Sequence, residues 1–89
     1  MSTRTVTIAS SVGLHARPAS MFVQAATATG LPVTIAKAGG APVDARSILA
    51  VMALGAKHGE EVTLSAEGDD ADAKLDSLVE LLSRDLDAE

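Results

Sequence analysis

Polar and apolar residues alternate from Arg4 to Ser10, with Val6 and Ile8 on one side and Thr5 and Thr7 on the other, which predicts a strand. Ser10, Ser11 and Gly13 mark a loop. From Ala16 to Thr29 the period becomes helical: Ala16, Ala19, Val23 and Ala26 share a face, with Phe22 beside them. Pro18 is compatible with a helix only in its first turn, whose amides have no intrahelical partner, so it sets the helix start near Ala16. Gly30 ends the helix. Leu31 to Lys37 predicts a second strand with Val33 and Ile35 inward. Ala38-Gly39-Gly40 predicts a hairpin turn and Ala41 to Asp44 a short return strand, kept at a sheet edge by Pro42. A short helix follows over Ser47 to Leu54, closed by Gly55, and Lys57-His58-Gly59 reads as a loop. Glu61 to Ala66 is the fourth strand, with Val62, Leu64 and Ala66 inward. Gly68-Asp69-Asp70 breaks it. A last helix carries Ala71, Leu75, Leu78 and Leu82 inward, widened by Val79 and Leu86, with Asp69, Asp70 and Asp72 favouring its N-terminus through the helix dipole. The acidic end from Asp85 to Glu89 reads as the fraying surface end of that helix. The order β-α-β-β-α-β-α predicts an α+β fold of two layers, helices over one face of a sheet whose other face is wetter.

Length and composition narrow this picture. With 89 residues, positions 1–89 are expected to form one domain, and with 47% hydrophobic residues but a single aromatic, Phe22, the core must be aliphatic. The absence of cysteine excludes disulfides and thiolate metal sites. No charged start precedes an apolar run and no apolar run approaches spanning length, so neither a signal peptide nor membrane insertion is expected, and a cytoplasmic protein is. The net charge of −5 is unevenly spread: before Asp44 there are only Arg4, Arg17 and Lys37, and every carboxylate side chain lies from Asp44 onward. An acidic total with a single aromatic argues against nucleic-acid binding, whereas the carboxylate-free first half suits an anion.

The chemistry concentrates in Gly13-Leu14-His15-Ala16-Arg17-Pro18-Ala19. His15 is predicted at the start of the first helix, where the amides of Ala16 and Arg17 lack helical partners and the dipole favours an anion. The dipole also favours a neutral, nucleophilic imidazole, and Arg17 adds a fork suited to phosphate oxygens. On spacing alone two roles compete: a cap or solvated polar residue, and a nucleophile accepting an anionic, phosphoryl-like group. No serine triad or carboxylate pair accompanies His15, no G-x-x-x-x-G-K-[ST] loop is present, and His15 with His58 makes no convincing metal site; no cofactor is expected. The helix over Ser47 to Leu54 is apolar nearly all round. Either the core covers all of it, or Ile48, Leu49 and Met52 form a docking patch. Ser47 serves as a cap or as a phosphorylation site beside that patch. His58 and the Gly39-Gly40 pair receive no role.

These residues resemble a known family. Gly13 to Ala19 is similar to the active-site motif of HPr, the histidine-containing phosphocarrier of the bacterial phosphoenolpyruvate-dependent sugar phosphotransferase system, and Ser47 to Gly55 resembles its serine-site segment. The likeness extends over the length of the chain and includes the Val62-Thr63-Leu64-Ser65-Ala66 strand. It implies an open-faced β-sandwich, with three helices on a four-stranded antiparallel sheet of order 1-4-2-3. It further implies that Enzyme I passes phosphoryl from phosphoenolpyruvate to Nδ1 of His15, that Arg17 stabilises the group, and that IIA domains of sugar permeases accept it. Ser20, Ile48, Leu49 and Met52 match the docking surface for both partners. Ser47 matches a regulatory serine modified in Gram-positive relatives by an ATP-dependent serine kinase/phosphorylase, which supports catabolite control through a regulator. Arg46 stands where lysine is common, Leu49 where methionine or phenylalanine is, and the Ala38-Gly39-Gly40 turn is longer by one residue.

The resemblance implies a monomeric carrier whose partners catalyse both transfers. Two alternatives remain open: a regulatory effector acting through Ser47, and a carrier in a nitrogen- or dihydroxyacetone-related relay.

Overall fold

Six residues of β1 (Ser2–Thr7) lie antiparallel to β4 (Glu61–Ala66), in a register running from Ser2 opposite Ala66 to Thr7 opposite Glu61. The structure, a computed structural model, describes residues 2–9, 13, 14 and 16–84. His15, the Ser10–Ser11 turn, Leu86 and the Asp85–Glu89 end lie outside the described residues. On its other edge β4 pairs with β2 (Thr34–Lys37), and β2 with β3 (Val43–Asp44), giving a four-stranded antiparallel sheet of order β1-β4-β2-β3. The helices α1 (Ala16–Ala28), α2 (Ile48–Leu54) and α3 (Ala71–Leu82) interleave with the strands in the expected order.

Alternation within each strand explains why the helices cover one face. Val6, Val62, Leu64, Ala66 and Ile35 are buried. The opposite face carries Thr3, Thr5, Thr7, Glu61, Thr63 and Ser65 along the β1–β4 ladder, residues that need no cover. On the helices, Ala71, Leu75, Leu78 and Leu82 of α3 are buried as their spacing predicts. In α1 the buried stripe centres on Ala19, Phe22 and Ala26, with Pro18 also buried and Val23 only partly so. Among the described residues no helix is long and apolar enough to cross a membrane.

Strands β1, β2 and β3 depart from their expected limits, whereas β4 keeps its own. β1 ends at Thr7 rather than Ser10 because β4 offers it no partner beyond Glu61. Ile8 is still held, donating to the Glu60 carbonyl at 2.9 Å and accepting from the Gly59 amide at 2.9 Å. Pro32 has no amide to donate, and β2 starts at Thr34 instead of Leu31. Pro42 trims β3 to Val43–Asp44 in the same way, at the sheet edge as anticipated. The hairpin turn closes with the Gly40 amide donating to the Lys37 carbonyl at 2.9 Å.

The entry to α3 also differs. Asp70 is the N-cap but makes no side-chain capping bond, and its φ of 61° is left-handed. The first-turn acid is Asp72, and it pairs outward: Arg4 of β1 reaches Asp76 at 2.9 Å and Asp72 at 3.2 Å. A hydrogen bond from Ser2 and the Arg4 charge hold the Asp72 carboxyl below its ordinary pKa. Lys74 donates from Nζ to the Thr29 carbonyl at 2.8 Å, so α3 satisfies a carbonyl beyond the end of α1.

Phe22→Ala removes the one aromatic ring from the core and is expected to lower the unfolding free energy by about 3–5 kcal/mol. Urea unfolding followed by far-ultraviolet circular dichroism measures this directly in a chain with no Trp or Tyr.

Candidate functional site

Gly13 adopts a φ of +73°, where a side chain is strained, and it sits hard against a remote turn. A Cβ built at Gly13 falls 2.5 Å from the Ala56 carbonyl oxygen and 2.8 Å from the Lys57 Cα, both backbone atoms that have nowhere to go. The next residue completes the seam: the Leu14 amide donates to the Ala56 carbonyl at 2.8 Å. Leu14 and Ala56 are themselves buried. Position 15 follows at once, and Ala16 opens α1.

The first turn of α1 is anchored from below. Pro18 and Ala19 are buried, whereas Arg17 is exposed. The resulting helix start carries Arg17 at the surface on a backbone held by its buried neighbours. Ser20, one turn on, is half-buried and accepts from Gln24 Nε2 at 3.3 Å.

Helix α2 packs against α1 on the same side of the sheet. Ser47 is its N-cap: in an extended conformation it accepts from the Ala50 amide at 3.3 Å. Gly55 closes the helix, donating its amide to the Met52 carbonyl at 3.2 Å. Val51 faces the core, fully buried, and Leu54 packs against its rim. That orientation turns Leu49 outward at 78% exposure, with Ile48 and Met52 also exposed; these three are the exposed large hydrophobics among the described residues. Of the two readings of this helix, the uncovered apolar patch is the one observed. Beside it, Arg46 pairs with Asp44 at 3.2 Å, and the Arg46 amide together with its guanidinium holds the Asp44 carboxyl below its ordinary pKa.

The described site residues therefore divide into two groups on touching helices: Arg17 and Ser20 on α1, and Ser47, Ile48, Leu49 and Met52 on or next to α2. A groove of about 450 Å³ between the Ala38–Ala41 turn and the second half of α2 is lined by none of them. Among the described residues no cluster of three or more His, Cys, Asp or Glu side chains is placed to hold a metal. The arrangement is an open surface, suited to contact with another protein rather than to enclosing a small substrate.

Sequence reasoning missed the turn over Lys57 to Glu60, read only as a loop. Glu60 Oε1 accepts the Lys57 amide at 2.7 Å, and Oε2 lies 3.4 Å from Lys37 Nζ. The only prior signal was Gly59, which the turn requires at a φ of +86°.

These elements define a small α+β fold, three helices on a four-stranded antiparallel sheet of order β1-β4-β2-β3, with an exposed apolar helix beside an arginine-bearing helix start. The PTS-HPr family, described as the PTS HPr component phosphorylation site, matches residues 2–84. The phosphocarrier protein HPr of Streptomyces coelicolor is 54% identical over 87 residues, covering 98% of this chain and 94% of the relative. The phosphocarrier protein HPr of Haloferax volcanii is 51% identical over 81 residues, covering 90% and 91%. A solved HPr structure from Thermoanaerobacter tengcongensis superposes with a TM-score of 0.85 at 41% identity, covering 92% of this chain and 91% of that one. The chain belongs to the HPr family, the phosphocarriers of the phosphotransferase system.

Because Gly13 combines a left-handed φ with backbone contacts too close for a Cβ, Gly13→Ala is expected to cost about 2–4 kcal/mol of stability. Chemical denaturation of the two forms side by side measures the difference.

Proposed function

We propose that the chain carries a phosphoryl group on Nδ1 of His15, received from phospho-Enzyme I, and ultimately from phosphoenolpyruvate, and delivered to IIA domains of sugar permeases. The observation that carries the reading is the seam at Gly13 and Leu14, which anchors the backbone one residue before position 15, directly ahead of a helix start bearing an exposed Arg17. Membership of the phosphocarrier family supports the same assignment.

In the proposed transfer the imidazole lone pair attacks phosphorus in line as the bond from phosphorus to the donor breaks, leaving that electron pair on the donor. The second transfer repeats the step with His15 as leaving group. Arg17 and the first amides of α1 balance the phosphoryl charge. Both steps need a partner's active site, so the domain, comprising residues 1–89, is a substrate of its partners rather than a self-sufficient enzyme, and it works in the cytoplasm as a monomer. The patch of Ile48, Leu49 and Met52, with Ser20, is the docking surface for both partners.

Ser47 is the proposed regulatory position. Its hydroxyl caps α2 beside Ile48 and Leu49, and a phosphoryl group there would set a dianion against an apolar contact surface. A serine kinase/phosphorylase and a catabolite-control regulator are the partners such a modification requires.

Incubation with phosphoenolpyruvate and Enzyme I is expected to add the mass of one phosphoryl group in an acid-labile form, and His15→Ala to abolish it. An acid-stable adduct that survives the substitution contradicts the proposal.

A further inference from the structure

We propose that Glu60 is a positioning residue for the phosphoryl-accepting segment: its carboxylate locks the Lys57–Glu60 turn, and the turn holds the Ala56 carbonyl to which Leu14 is bound. The inference rests on the reading of His15 as the acceptor.

The turn is closed twice by the same pair of residues. The Glu60 amide donates to the Lys57 carbonyl at 3.0 Å, and the Lys57 amide donates back to Glu60 Oε1 at 2.7 Å. The second is a short, charge-assisted bond, the stronger kind. Glu60 Oε2 is held on its far side by Lys37 at 3.4 Å, at the end of the neighbouring strand. The Lys57 amide is the largest influence keeping the Glu60 carboxyl below its ordinary pKa, so the group is ionised at neutral pH.

Below, the turn is tied to the sheet through Ile8, whose amide and carbonyl bond Glu60 and Gly59. Above, it meets the accepting segment at backbone level. Ala56 receives the Leu14 amide, and the Ala56 carbonyl and Lys57 Cα fill the space a side chain on Gly13 would need. A shift of Lys57 therefore displaces Gly13 and Leu14 directly, with no flexible side chain between them to absorb it. Residue 15 is the next along the chain. The role proposed for Glu60 is exerted through backbone placement.

The experiment uses the full chain with Glu60→Ala and Glu60→Gln. Gln retains an oxygen that accepts the Lys57 amide, now as a neutral bond, and loses a solvent-exposed ion pair of small worth. Two readouts are taken: amide hydrogen exchange at Leu14, Val62 and Leu64, and steady-state phosphoryl uptake from phospho-Enzyme I. Glu60→Ala is expected to speed Leu14 exchange by about three- to tenfold, with Val62 and Leu64 unchanged, because one hydrogen bond's worth of local opening is lost. It is also expected to lower the maximal rate of uptake with KM unchanged, since the α2 patch is untouched, and Glu60→Gln to restore most of both. Unchanged Leu14 exchange overturns the proposal, as do an equal rise at Val62 and Leu64, a change in KM alone, or a Gln variant as impaired as the Ala variant. If the parent protein takes up no phosphoryl at His15, the carrier reading fails separately, and Leu14 exchange still decides whether Glu60 holds the segment.

Discussion

The hydrogen bond from the Leu14 amide to the Ala56 carbonyl joins the segment leading into α1 to the turn that precedes β4, just beyond the end of the β1–β4 ladder. It depends on glycine at position 13: a Cβ there would lie 2.5 Å from the Ala56 carbonyl oxygen. Around this seam the surrounding elements act as supports. Ile8 secures the turn to the end of β1, Glu60 closes the turn, and buried Pro18 and Ala19 seat the first turn of α1. An in-line transfer tolerates little misplacement of the accepting atom, which gives a physical reason to hold the preceding backbone this firmly.

The same chain leaves another part of its surface unsatisfied. A short helix with Val51 buried and Leu49 almost fully exposed gains nothing for its own fold from the outward leucine. Its uncovered apolar face is what the proposed docking role asks of a carrier that meets a donor and an acceptor in turn. Met52 adds shape tolerance to a surface proposed to serve more than one partner. The acidic residues of α3, by contrast, are structural at least in part: Asp72 and Asp76 secure β1 through Arg4.

Most of the architecture was legible in periodicity. Strand β4 and the buried stripe of α3 stand where alternation and helical spacing put them, and Ser47 and Gly55 bound α2 as cap chemistry predicts. The strand ends were less legible, because Pro32, Pro42 and the length of the partner strand decide them. The α1 stripe centres on Phe22 because burial in the shared core, not the count of alanines, selects the central residue. Of the site, Arg17 and the α2 patch were visible as motifs. The Gly13–Ala56 seam was not, because loop against loop has no period, and Glu60 was hidden for the same reason: an acidic residue in a turn looks solvated until its partner amide is known.

As proposed, a phosphoryl group enters at residue 15 on a backbone shared with the Ala56–Glu60 turn. Amide proton–nitrogen correlation spectra recorded before and after phosphorylation test it most directly. The account predicts the largest shifts at Leu14, Ala16 and Arg17, with a second set at Ala56 and Lys57 and little change at Val62 and Leu64. Shifts centred on Ser47, or confined to Ala16 and Arg17 with Ala56 and Lys57 silent, would contradict it.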